Sequence, residues 1–245
     1  MLPCLISVPH GGTKIPREVR KLVILSPRDI LEDGDPFTPE LYDLDVESKL
    51  VMEIARAIVD VNRAPDDTPP NNPDGVVKSE TAFGKKVYRE FPDRKLIEIL
   101  LNRYYFPFHR KIVKELKREN VLIAFDCHSM APIAPKVAPD KGRRPSFCLG
   151  NYYGRACSME TTETLRECLT EVFELPHEEV EINEPFAGGY ITRTYGMNPK
   201  PWIQIEINRD MYMNWEELKK DEEKLEDVRK KLQMSLKLFF ERASL

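Results

Sequence analysis

No stretch of about 18 consecutive apolar residues occurs, so no membrane-spanning helix is expected. The sequence has no C-x-x-C pair. Its five cysteines (Cys4, Cys127, Cys148, Cys157 and Cys168) are an odd number, and they read as free or buried thiols in a reducing compartment, not as a disulfide framework. Cations are not in excess: 37 Lys and Arg stand against 41 Asp and Glu, for a formal charge of -4. The clustered positive charge that displaces counterions from nucleic acid is therefore missing, and no nucleic-acid partner is expected. The segment Met1 to Gly12 lacks the basic and apolar regions of a secretory signal, so a cytoplasmic protein is expected. Neither a repeat nor a linker of biased composition interrupts the chain, which favours one domain over residues 1–245.

What is present is a chain of 245 residues with 41% apolar content, enough for a large core. Residues 3–8 form a short apolar run that reads as a buried strand. Residues 17–32 are helical in part, with Ser26-Pro27-Arg28-Asp29 as cap and first turn. From Asp45 to Ile54 apolar residues recur at helical spacing. Residues 57–63 read as a second strand, and residues 64–76, rich in proline and acids, as a loop. A long amphipathic stretch covers 94–118 and breaks near Pro107. Residues 121–125 are a third buried strand, followed by an excursion rich in Pro, Lys and Arg over 131–145. Strand 146–150, helix 161–173, the alternating strand 202–208 and a closing helix over 215–242 complete the pattern. Strands and helices alternate, which predicts an α/β fold: a three-layer α/β/α sandwich around a mainly parallel sheet.

The polar residues fall at the strand ends. Three apolar runs lead into Pro9-His10-Gly11-Gly12, Asp60-Val61-Asn62-Arg63 and Asp126-Cys127-His128-Ser129. Ligands of open α/β sheets bind beyond the carboxyl ends of the strands, so His10, Asn62, Arg63, Asp126 and His128 are expected to share one crevice. Only four histidines occur in the chain, and His10 and His128 sit at matching strand ends. Two imidazoles and one carboxylate would make a catalytic zinc site with a position left for water. Of the other two, His109 falls in an apparently helical context and His177 reads as a surface residue. Gly11 and Gly12 fit a close approach of backbone to a ligand, or a turn with positive φ. No Gly-Lys-Ser/Thr follows them, so they form no phosphate-binding loop.

Seven segments together resemble the N-formylglutamate amidohydrolase family, a distant relation of zinc carboxypeptidases and aspartoacylase-type deacylases. They are Ser7-Val8-Pro9-His10-Gly11-Gly12, Asp33-Gly34-Asp35-Pro36-Phe37-Thr38, Val59-Asp60-Val61-Asn62-Arg63-Ala64-Pro65, Tyr105-Phe106-Pro107-Phe108-His109, Asp126-Cys127-His128-Ser129-Met130, Phe186-Ala187-Gly188-Gly189-Tyr190-Ile191-Thr192 and Gln204-Ile205-Glu206-Ile207-Asn208-Arg209. The resemblance implies a phosphorylase/hydrolase-like fold holding one Zn2+. His10 and His128 would be its imidazole ligands and Asp35 its carboxylate, with Asp33 and Asp45 as alternatives. Pro36 stands where an aromatic residue is common in that family. Glu206 resembles the general base of the related sites; its plainer reading is a surface acid on an edge strand. Asn62 and Arg63 resemble a pair that holds the substrate carboxylate, and Tyr190 and Arg193 are further substrate-binding candidates. Arg63 has a plainer reading too, an ion pair with Asp60 or Asp126. Asp126 would orient a metal-bound histidine or fix the loop.

The implied reaction is hydrolysis of an N-formyl or N-acyl amino acid by zinc-activated water, on a small-molecule carboxylate substrate. Two other readings stay open. One is a zinc peptidase-like hydrolase of another amide. The other is a non-catalytic ligand-binding protein on the same fold. The closing helix carries leucines at helical spacing and packs on the sheet or helps form a homodimer; monomer and homodimer both fit.

Overall fold

A computed structural model describes residues 1–135 and 138–244. Its elements in chain order are β1 (Leu2–Val8), α1 (Pro27–Asp33), α2 (Thr38–Leu41), β2 (Val46–Val51), α3 (Arg94–Leu100), α4 (Phe106–Leu116), β3 (Ile123–Met130), β4 (Phe147–Gly150), α5 (Met159–Phe173), β5 (Val180–Ile182), α6 (Tyr190–Tyr195), β6 (Trp202–Asn208), β7 (Met213–Asn214), β8 (Lys219–Lys220) and α7 (Glu222–Arg242). One six-stranded sheet runs in the order β2-β1-β3-β6-β4-β5. Every pairing in it is parallel except β4 with β6. With helices on both faces, this is a three-layer α/β/α sandwich.

Strand alternation assigns the layers. On one face Cys4, Ile6 and Val8 of β1, Phe125 and Cys127 of β3, and Ile203, Ile205 and Ile207 of β6 pack with Leu165 and Leu169 of α5 and with Val228, Leu232 and Phe239 of α7. On the other face Leu5, Ala124 and Trp202 meet Phe108 and Ile112 of α4 and the buried segment around Ile58. Asp126 and His128 share the side of β3 that carries Ala124, and Gln204 and Glu206 share the side of β6 that carries Trp202. All four side chains therefore project into the second layer. β3 is buried along its whole length, its polar residues Asp126, His128 and Ser129 included, as a strand of a doubly covered sheet should be.

The helix starts follow capping chemistry. Ser26 and Asp29 cap each other at α1 with Pro27 in its first turn, and Asp93, Ser158 and Asp221 accept from the first turns of α3, α5 and α7. The 94–118 stretch is interrupted by a π-helical turn, Leu101–Tyr105, just before Pro107.

Several sequence expectations are corrected. Residues 46–51 are an edge strand parallel to β1, not a helix. Each of its side chains is half-buried, so no two-residue period shows, and Val46, Leu50 and Ile54 mimic a helical one. Residues 57–63 are not a strand. The amides of Ile58 and Val59 donate to Ala55 O and the amide of Arg63 donates to Asp60 O; the apolar run marks a buried series of turns. The Asp126 to Ser129 cluster lies within β3 and not beyond it. The closing helix starts at Glu222 because a short hairpin, Met213–Asn214 with Lys219–Lys220, precedes it. Of the 131–145 excursion, Lys136 and Val137 lie outside the described residues. Among the described residues no helix is long and apolar enough to cross a membrane.

Candidate metal centre and active site

His10 follows directly on β1, and its carbonyl accepts the amide of Asp35 at 2.9 Å. That bond draws the loop after α1 across the end of the sheet. His128 enters from β3 next door. The result is a convergence of three atoms: His10 Nδ1 and His128 Nδ1 face each other at 3.1 Å, and Asp35 Oδ2 lies 3.0 Å from the second and 3.5 Å from the first. All three residues are buried. Among the described residues this is the one cluster of His, Cys, Asp or Glu with the spacing of a metal site.

The partners of the outer ring nitrogens fix the proton of His10 and leave His128 two partners. His10 Nε2 donates to Asp60 Oδ1 at 2.8 Å. His128 Nε2 lies 3.2 Å from both Asp126 Oδ2 and Asn62 Nδ2: a proton on it goes to the carboxylate, and a bare lone pair accepts from the amide. A proton on either Nδ1 is donated to Asp35 Oδ2; with a metal ion in its place each Nδ1 would turn a lone pair inward. Two imidazole nitrogens and a carboxylate oxygen facing one point need positive charge there, from a proton or a metal ion, and this donor set fits a catalytic zinc ion. The local field agrees. Burial alone would lower the His128 pKa, but the Asp126 carboxylate overrides it and holds the imidazole well above its ordinary value. Burial alone would raise Asp35, yet its hydrogen bonds to the two imidazoles keep it well below the carboxylate range. The centre thus favours positive charge at the point where the three atoms meet.

Glu206 stands beside His128, its register partner on the neighbouring strand. Gln204 Nε2 donates to Glu206 Oε1 at 2.9 Å, and Gln204 Oε1 accepts the amide of Gly189 at 2.6 Å. Burial pushes the Glu206 carboxyl up to about 7, against the pull of the His128 charge. These groups lie on the wall of a cavity of about 720 Å³, which His10, Asp35, His128, Glu206, Arg63 and Arg193 help to line.

Comparison with known proteins agrees with the geometry. The family model described as N-formylglutamate amidohydrolase matches residues 2–213. The chain belongs to that family. It is 30% identical over 225 residues to an N-formylglutamate deformylase of Pseudomonas putida, covering 86% of this chain and 82% of the relative. A deformylase of the same name from Pseudomonas aeruginosa is 30% identical over 226 residues, with 87% and 83% covered. The crystal structure of an N-formylglutamate amidohydrolase from Ralstonia eutropha superposes with a TM-score of 0.82 at 20% identity, covering 98% of this chain and 94% of that one, which shows the shared fold. Membership in this family makes the protein a hydrolase of an amide bond.

The remaining candidates of this amidohydrolase-family chain separate. Asp33 is turned away from the centre and takes the buried Lys78 Nζ at 3.1 Å. Asp45 sits at the surface, 2.9 Å from the N-terminal ammonium. Asn62 Oδ1 accepts the amide of Ile191, which turns its Nδ2 towards His128 Nε2 at 3.2 Å. Arg63 binds Asp74 Oδ2 at 2.8 Å and lies 4.0 Å from Asp60, so much of its charge is matched within the protein. Arg193 is exposed, donates only its Nε to Gly189 O and stacks over Tyr152; among the described residues it pairs with no carboxylate. Tyr190 packs on His109 and lies outside the cavity lining. His109 is buried on α4 between Val61 O and the Tyr195 hydroxyl. His177 is exposed.

Gly11 and Gly12 serve the chain's own packing: a Cβ on Gly12 would lie 2.3 Å from the Glu53 carbonyl carbon, and one on Gly11 would strike Pro39. Three residues receive no role from the sequence, although Gln204 and Arg209 belong to a segment that carries the family resemblance. Arg56 Nε donates to Asp60 Oδ2 at 2.9 Å, Gln204 secures Glu206, and Arg209 binds Asp35 Oδ1 at 3.1 Å. Each sits near a motif residue, Arg56 four positions before Asp60 and Arg209 three after Glu206, but only the fold shows what it touches.

Proposed function

We propose that this protein is a zinc-dependent hydrolase of N-formyl or N-acyl amino acids, with N-formylglutamate as its reference substrate. The observation that carries the reading is the convergence of His10 Nδ1, His128 Nδ1 and Asp35 Oδ2 beside the buried Glu206 carboxyl. The names of the Pseudomonas relatives support the choice of substrate, and a cavity of about 720 Å³ is within the range that accepts small molecules.

When bound, zinc supplies a Lewis acid that acidifies water and polarises a carbonyl. The chain's residues do the rest. With the metal held, Asp60 and Asp126 would take the protons of both Nε2 atoms and leave both Nδ1 lone pairs forward. Gln204 holds one oxygen of Glu206 and leaves the other for proton transfer. Burial raises this carboxyl, which favours a group able to take up and release a proton, as a general acid and base must. It accepts a proton as the water oxygen bonds to the acyl carbon, then delivers it to the amide nitrogen. The C–N bond breaks, leaving formate, or the corresponding acid, and the free amino acid. Arg193, with its terminal nitrogens unmatched by a carboxylate, is the arginine best placed to take the substrate's carboxylate through its planar fork. Asn62 and Arg63 shape the wall beside it.

The test is a substrate panel on zinc-loaded protein: N-formylglutamate, N-formylaspartate, N-acetylglutamate and N-formylleucine, followed by release of the amine. Hydrolysis that disappears on chelation, with the acidic formyl compounds preferred, is the expected result. No turnover of any member by zinc-loaded protein would sink the reading.

A further inference from the structure

Asp35 has two carboxylate oxygens, and they face different ways. Oδ2 points at the two imidazoles. Oδ1 is held by Arg209 Nη2 at 3.1 Å. Arg209 is buried, and it is fixed on every side. Its Nε donates to Ser129 Oγ at 3.1 Å, its Nη1 to Glu32 O at 3.3 Å, and its Nη2 also to Gly34 O and Ser129 O. Its guanidinium carbon sits 4.6 Å from the centre of the Trp215 ring. One planar group thus ties the loop carrying Asp35 to the end of β3, just past His128.

We propose that Arg209 is a positioning residue that restricts Asp35 to a single metal-facing oxygen and thereby keeps a position open beside the two histidines. The inference rests on the zinc reading above. A free carboxylate can offer a cation both oxygens. Here one of them is engaged by a guanidinium that cannot lose its proton and cannot swing away, since four backbone or side-chain oxygens and an indole enclose it. The arrangement has a cost in charge, because a cation close to the site opposes binding of another cation. Arg209 therefore makes sense only if orientation outweighs that repulsion, and this gives the test a definite sign.

The experiment uses Arg209→Lys and Arg209→Met, prepared metal-free and titrated with Zn2+ against a chromophoric chelator. Cobalt(II) absorption is recorded as a second readout. The expected result is metal binding weaker by roughly 10- to 100-fold in Arg209→Met, the usual consequence of losing a group that orients a ligand. A smaller loss is expected in Arg209→Lys, which keeps the charge without the fork. The cobalt bands of Arg209→Met should weaken in intensity, the sign of added coordination as Asp35 becomes free to offer both oxygens. A role confined to stability would lower the melting temperature and leave both readouts unchanged. Affinity within twofold of wild type in both variants, or affinity that rises, overturns the proposal. If Arg209→Met does not fold, the Lys variant decides by the same two readouts. A wild-type protein that binds no zinc would overturn the zinc reading itself, whereas wild-type binding matched by the variants would overturn only the role of Arg209.

Discussion

Asp60→Asn should weaken metal binding and stability together, and the structure gives the size of both effects. Asp60 is fully buried, and its two oxygens serve four groups. Oδ1 accepts from His10 Nε2 and from the amide of Asn62, each at 2.8 Å. Oδ2 accepts from Arg56 Nε at 2.9 Å and lies 4.0 Å from Arg63. Burial alone would raise this carboxyl, but the His10, Arg56 and Arg63 charges hold it well below the ordinary range. An asparagine has one acceptor oxygen. If its NH2 faces His10, Nε2 must accept, and Nδ1 then carries a hydrogen aimed at Asp35; the ring is lost as a ligand. If its NH2 faces Arg56, a guanidinium is left opposite a donor. Breaking a buried ion pair on one side costs about 3–5 kcal/mol. Because Arg56 keeps a bond to Asp33 O, the lower end, about 3 kcal/mol, applies. Loss of histidine orientation lowers metal affinity by roughly 10- to 100-fold. The assay pairs urea unfolding of the metal-free protein with Zn2+ titration. Unchanged affinity together with a stability change below about 0.5 kcal/mol would refute the reasoning.

Four further outcomes are expected. Glu206→Gln should lose roughly 10²- to 10⁴-fold in kcat while keeping its zinc, since it removes a proton carrier and no ligand; steady-state kinetics with metal analysis checks this. Arg193→Met should raise KM for a formyl dicarboxylate far more than it lowers kcat, read by comparison with N-formylleucine. His109, pushed down to about 4 by burial, is held neutral in the folded state while the unfolded imidazole titrates near 6.5. Its stabilising contribution is therefore present above about pH 6.5 and is lost as pH falls towards 4, on the order of 3 kcal/mol in all; His109→Gln should flatten that slope in unfolding curves taken across the window. Gly189→Ala should cost about 1–3 kcal/mol and disturb His128, because its Cβ would lie 2.3 Å from Asn62 Nδ2; thermal unfolding and zinc titration report the two effects.

The elements that could be read from sequence were those whose signal is local. β1 and the start of β3 announce themselves as apolar runs because both faces of the sheet are covered, β6 by its alternation, and α1 carries its capping box in the order of its residues. β2 reads as a helix and the 57–63 segment as a strand for a physical reason: an edge strand with half-buried side chains loses its two-residue period, and buried turns imitate a strand. The meeting of His10 with His128 could be inferred because adjacent parallel strands end at one edge of the sheet. The grip of Arg209 on Asp35, spanning 174 positions, and of Arg56 on Asp60 could not. No spacing rule encodes which loop folds across which strand end. Arg63 shows the reverse limit: its residue type fits an anion clamp, yet Asp74, eleven positions on, takes its guanidinium.

The most direct test of the central claim is a crystal of zinc-loaded protein measured on both sides of the zinc absorption edge. The account predicts one anomalous peak, bonded to His10 Nδ1, His128 Nδ1 and Asp35 Oδ2, that vanishes in His128→Ala. A peak elsewhere, or none at full zinc loading while N-formylglutamate is still cleaved, would contradict it.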